Sequence, residues 1–111
     1  SNTTLLRYQT VELVFGTKTG IRVPKAAIRV DVQTQTDPDT GRETQVNVTG
    51  VYALVGSQAE FKPVKVLEQG EDYCLVEGIP SQRASEAKKT LRAGDEIIVA
   101  AEDLFDGKVV R

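Results

Sequence analysis

The sequence contains no histidine, no methionine and no tryptophan, and a single cysteine among 111 residues. Histidine is the side chain that most often moves protons near neutral pH and binds transition metals, so its absence removes most familiar catalytic constellations. The lone Cys74 cannot form an internal disulfide. It stands in DYCLVE between apolar neighbours, which points to a buried structural thiol rather than a nucleophile lacking a base. Its solitude carries no information about compartment, because oxidising spaces also hold cysteine-poor proteins with adequate cores.

Aromatic residues are also scarce: three Tyr and three Phe, dispersed along the chain. A ligand- or carbohydrate-binding module needs an aromatic-lined concavity, which this distribution does not suggest. No stretch approaches the roughly 18 apolar residues of a membrane helix, and the start SNTTLLRYQ lacks the charged and apolar blocks of a signal peptide. The chain as given is therefore expected to be soluble. Ser1 and Asn2 fit the remnant of an expression tag, and the pattern opens in mid-rhythm, so a piece of a longer protein is expected. Charge of one sign is missing too: 14 basic against 16 acidic residues leave a net charge of -2 and a pI near 5.2. Without a basic patch, nucleic acid and anionic membrane are poor partners.

What is present is alternation with period two, broken by Gly, Asp and Pro about every eight to twelve positions. This rhythm predicts an all-β chain, a small antiparallel barrel or roll of roughly seven to nine short strands, with at most one short helix near 81–91. Val11, Leu13 and Phe15 alternate with more polar positions and can face a core before Gly16 and Gly20 bracket a turn. Pro24 cannot donate to a ladder and marks a strand edge or a crossing between sheets. Ala26, Ile28, Val30 and Val32 then form one face of a half-buried strand, with Lys25, Arg29, Asp31 and Gln33 on the other.

The following stretch TDPDTGRE, 36–43, places Asp37, Asp39, Gly41 and Glu43 at alternate positions, as in some calcium loops. A turn explains the same residues better. Pro38 presets φ, Asp37 caps through its side chain, and Gly41 accepts the positive φ that closes a long polar hairpin. No helices flank it, and no bidentate glutamate stands at the twelfth loop position.

A second hairpin follows, GVYALVG (50–56) with AEFKPVKVL (59–67), in which Pro63 predicts an edge or a bulge. EQGED turns through Glu71 and Asp72, and YCLVEG (73–78) is a further short strand. In the segment 79–94, Ser81 or Ser85 can cap a short helix through Leu91, with Gly94 ending it, although Ala84, Ala87 and Leu91 supply only a thin apolar face.

The C-terminal stretch LRAGDEIIVAAEDLFDGKVVR holds Asp95, Glu96, Glu102, Asp103 and Asp106 among branched aliphatics. As catalytic acids these would need two convergent oxygens, which the spacing does not predict. As strand corners they fit: Gly94 gives backbone freedom, Asp95 hydrogen-bonds exposed amides, and Asp106-Gly107 repeats the device before Lys108-Val109-Val110. No catalytic, metal-binding or cofactor-binding residue is nominated, no cofactor is expected, and the partner-binding residues stay unknown.

Five segments occur in the order of one known pattern: RVPKAAI (22–28), GVYAL (50–54), FKPVKV (61–66), LRAGDEIIV (91–99) and DGKV (106–109). Together they resemble the C-terminal end of periplasmic adaptor proteins, or membrane fusion proteins, of the HlyD-like efflux class. The resemblance implies that residues 1–20 are the tail of a preceding β-barrel domain and 21–111 a membrane-proximal β-domain. The hairpin 31–49 and the loop 80–90 are then insertions. It further implies a non-catalytic adaptor linking a cytoplasmic-membrane efflux transporter to envelope components. In that role the domain is extracytoplasmic and envelope-associated, a membrane transporter subunit is its partner, the full-length adaptor self-associates, and membrane contact comes only through an N-terminal anchor. Two other classes compete: an autonomous β-barrel or sandwich module that binds a ligand or carbohydrate, and a fragment of an acid/base enzyme, which would need two carboxylates converging in a pocket.

Overall fold

Period-two alternation becomes eight antiparallel strands in the computed structural model, which describes residues 5–80, 90–101 and 103–110. They are β1 (Leu6–Gln9), β2 (Val11–Phe15), β3 (Lys18–Pro24), β4 (Arg29–Thr36), β5 (Glu43–Val55), β6 (Gln58–Gln69), β7 (Tyr73–Gly78) and β8 (Glu96–Ala100). The sheet runs in the order β1-β8-β5-β6-β7-β3-β2, and β4 pairs with β5 off this path. Its two ends, β1 and β2, are separated in sequence only by Thr10, so the sheet curls into a nearly closed barrel. The all-β expectation holds.

Two long strands make the curvature by changing partners along their length. β5 pairs with β4 from Glu43 to Gly50, then with β6, while Tyr52 and Ala53 also reach β8. β6 pairs with β5 as far as Pro63 and with β7 from Val64 onward. Pro63 therefore occupies the corner, where a missing N–H costs least, and its carbonyl accepts a bond from the Ile79 N–H at 3.1 Å. A register irregularity follows between Val66 and Glu68, in line with the edge or bulge that Pro63 predicts. Pro24 marks a crossing as well. It ends β3, and a 3-10 turn (Lys25–Ala27) then carries the chain to β4 on the other part of the sheet.

Alternation places successive residues on opposite faces, and here both faces are covered. Ile97 joins Val23, Val51, Ala53, Val64 and Val76 in the barrel interior. Its neighbour Ile98 joins Tyr52, Ala59, Phe61 and Val110 in a second cluster on the opposite face. Both isoleucines are 0 % exposed, so β8 is buried on each side, which accounts for its unbroken EIIVA. The C-terminal residues cover the second cluster by lying along β6: Ala59 and Gly107 N–H groups bond to the Lys108 and Ala59 carbonyls, and Val110 N–H to Ser57. Lys108-Val109-Val110 contributes one isolated bridge, Gln58 to Val109, rather than a full strand.

Three expectations change. Val30 and Val32, expected on a buried face, are 62 % and 57 % exposed, while Arg29, Asp31 and Gln33 are half-buried. The reason is that, among the described residues, β4 has only β5 as a neighbour, and this hairpin arm leaves the barrel with no described layer over its valine face. Val11, Leu13 and Phe15 are exposed too, because no described element covers the outside of β2. Gly20, expected at a turn, lies within β3; the turn is made by Gly16 and Thr17, with Gly16 at φ +65°. A Cβ at Gly20 would stand 2.9 Å from the Leu75 side chain, so this glycine permits close packing. The expected helix near 81–91 falls mainly outside the described residues. Leu91, placed at its end, lacks regular structure and is buried in the interior cluster. Among the described residues, no helix is long and apolar enough to cross a membrane.

Candidate functional site

The hairpin tip between β4 and β5 folds as a turn. The Asp37 N–H donates to the Arg42 carbonyl and the Gly41 N–H to the Asp37 carbonyl, both at 2.8 Å. The Asp37 Oδ1 accepts the Asp39 N–H at 2.9 Å, and Gly41 has φ +73°. The Asp37 carboxylate is thus used in local backbone bonding. Among the described residues, no group of three or more His, Cys, Asp or Glu side chains is placed to hold a metal ion.

The carboxylates of the C-terminal stretch lie apart in role as well. Asp95 Oδ2 accepts the Arg92 N–H at 3.0 Å, closing the turn that starts β8. Asp106 Oδ1 accepts the Phe61 N–H at 2.9 Å and fastens the C-terminal segment to β6. Glu96 faces Arg7 across the β1–β8 pair at 3.6 Å, an exposed ion pair of small energetic weight. Asp103 adopts a left-handed φ of +52°. Glu102 lies outside the described residues. Cys74 is a buried free thiol, as its apolar neighbours predict.

The concave feature that emerges is one the sequence did not single out. On the outside of β2, β3 and β7, a groove of about 210 Å³ is lined by Leu13, Phe15, Arg22, Glu68, Tyr73 and Leu75, among others. Strand pairing explains why these side chains meet. Leu13 is opposite Gly20, Phe15 opposite Lys18, and Arg22 opposite both Val11 and Leu75, so all of them share the outer face. Leu75 lies over Gly20 and forms the floor. Phe15, 60 % exposed, and Leu13 form an apolar wall.

The polar groups of the groove are organised around that wall. The Arg22 guanidinium stacks 3.8 Å from the centre of the Tyr73 ring, a cation–π arrangement that leaves its edge N–H groups free to bond outward. Lys18 and Glu68 pair at 2.7 Å at the rim. The lining is therefore apolar with a charged border, the composition of a protein contact surface. It includes one carboxylate, Glu68, and the buried Cys74 thiol. The signal in the sequence was the Val11, Leu13, Phe15 alternation, which shows that three residues share a face but not whether that face is covered.

No family model, no curated protein and no solved structure matches this chain.

Proposed function

We propose that this chain is a non-catalytic adaptor domain of the membrane fusion class, which docks on a subunit of a cytoplasmic-membrane efflux transporter on the extracytoplasmic side of the cell envelope. The observation that carries the reading is the uncovered outer face of β2, β3 and β7, where Leu13, Phe15 and Tyr73 stay exposed beside Arg22 and the Lys18–Glu68 pair. Apolar side chains left in water on a rigid sheet lower the free energy when a partner covers them.

The five segments that resemble the adaptor class support it from a second direction. They supply the end of β3 with its 3-10 turn, the inner half of β5, the Pro63 corner of β6, the Asp95 turn with β8, and the C-terminal segment that lies along β6. All five contribute to the barrel, whereas the groove wall on β2 lies outside them. In this role the acidic residues are corners, and the work is binding rather than bond making.

The test is photo-crosslinking in the parent protein, expressed in its own host, with a benzophenone side chain at Phe15 and, as a control, at the exposed Thr40 in the hairpin tip. The expected result is a covalent adduct from position 15, and not from 40, with a polytopic membrane subunit identified by mass spectrometry. Adducts from position 15 with soluble proteins alone, or none at all, overturn the reading.

A further inference from the structure

We propose that two copies of this chain join along β4, each adding its hairpin arm to the other to form one continuous four-stranded antiparallel sheet. This inference rests on the free edge of the arm, separate from the groove of the preceding section.

Among the described residues, β4 is paired on one side only, to β5, through eight residue pairs without a register shift. The bond from the Asp37 N–H to the Arg42 carbonyl fixes the phase of that ladder. Odd-numbered residues direct their backbone groups to β5, so Val30, Val32, Thr34 and Thr36 direct theirs outward. An edge of this length is normally blunted by lysine, proline or a bulge. Residues 30–36, VDVQTQT, contain none of these, and Val30 and Val32 are both exposed.

A second copy fits this edge in one register better than the others. With a two-fold axis at Gln33, Val32 stands opposite Thr34, Val30 opposite Thr36, Asp31 opposite Gln35, and Arg29 opposite Asp37. Every outward N–H and C=O of the edge then finds a partner, β-branched residues pair with β-branched residues, and the cationic and anionic ends of the strand oppose each other. The described bonds of Arg29 go to the carbonyls of Ala26 and Val99, so among the described residues its positive charge has no carboxylate partner. Moving the axis by two residues, to Asp31 or to Gln35, loses this charge match, and on Asp31 it also sets two carboxylates face to face.

The test uses the 111-residue chain in sedimentation equilibrium and in oxidation of Gln33→Cys. The expected mass rises with concentration from 12.1 kDa toward twice that value. Gln33→Cys should form an interchain disulfide, since a self-opposed non-hydrogen-bonded pair brings the two Cβ atoms within bonding reach, whereas Gln35→Cys should not. Val32→Pro removes an outward N–H while leaving the β4–β5 ladder intact, and should weaken association about 100-fold. A mass of one chain at all concentrations overturns the proposal. So does a dimer that withstands Val32→Pro in a folded variant, or crosslinking at Gln35→Cys in place of Gln33→Cys.

Discussion

The N–H and the Oγ1 of Thr10 both donate to one acceptor, the carbonyl oxygen of Asp95, at 3.0 and 2.6 Å. The Gly94 N–H returns a bond to the Thr10 carbonyl at 3.1 Å. Thr10 is only 1 % exposed and stands between β1, which pairs with β8, and β2, which pairs with β3. Its bonds to the turn before β8 therefore hold together the two ends of the sheet. Replacing the hydroxyl by a methyl in Thr10→Val removes one donor while the backbone bond persists. The expected loss is about 1 kcal/mol, or a melting temperature lower by about 4 °C, read by calorimetry.

Glycines at two positions should fail for different reasons. Gly94 has φ +96° and open space where a Cβ would be, so Gly94→Val costs about 1 to 3 kcal/mol through backbone strain alone. Gly50 has an ordinary φ, but its Cβ would lie 2.5 Å from the Lys62 carbonyl oxygen and 2.6 Å from the Phe61 ring. Gly50→Ala should therefore cost about 3 kcal/mol or more through overlap in the sheet. Denaturant unfolding of both variants checks this, and an unchanged midpoint for Gly94→Val would remove the strain argument.

Tyr52 should set an alkaline limit on stability. Burial raises its pKa above 10.0, the Asp31 and Asp106 carboxylates raise it further, and Arg29 partly offsets them. The folded protein thus holds the phenol proton more tightly than the unfolded chain. That contribution is fully present below pH 10 and is lost as pH rises through the folded-state value. The phenolate absorbance that disappears in Tyr52→Phe should be a part that develops above pH 10, and the same substitution should flatten the decline of melting temperature there.

Asp106→Ala should loosen the C-terminal segment. Its Oδ1 is the acceptor for the Phe61 N–H, and leaving that amide under-bonded costs about 1 to 3 kcal/mol. Amide hydrogen exchange should accelerate first at Phe61, Ala59 and Gly107, the groups that join this segment to β6. Uniform acceleration over the whole barrel would contradict a local fastening role.

The groove should tolerate polar substitution. Phe15→Ser removes a side chain that is 60 % exposed, so stability should stay within about 0.5 kcal/mol, whereas Leu13→Ser, at 38 % exposed, should cost about 1 kcal/mol. Leu75→Ala, which empties the buried floor, should cost about 2 to 5 kcal/mol. The contrast, measured by urea unfolding, separates a surface kept for a partner from one needed by the fold.

Sequence alone was enough for the strand rhythm, the turns at Asp37, Gly41 and Asp95, the interruption at Pro63 and the buried Cys74. Each of these is a local matter of side-chain period, proline geometry or a short-range hydrogen bond, so the residues involved are near neighbours in the chain. Tertiary structure alone decided which faces are covered. Val30, Val32, Leu13 and Phe15 alternate as regularly as Val51 and Ala53, yet the former face water and the latter the barrel interior. Whether an apolar face is buried depends on which distant strand lies across it, and that is set by the partner exchange in β5 and β6 and by closure at Thr10. The open edge of β4 and the groove over Leu75 follow from the same long-range choice, and alternation within a strand carries no record of it.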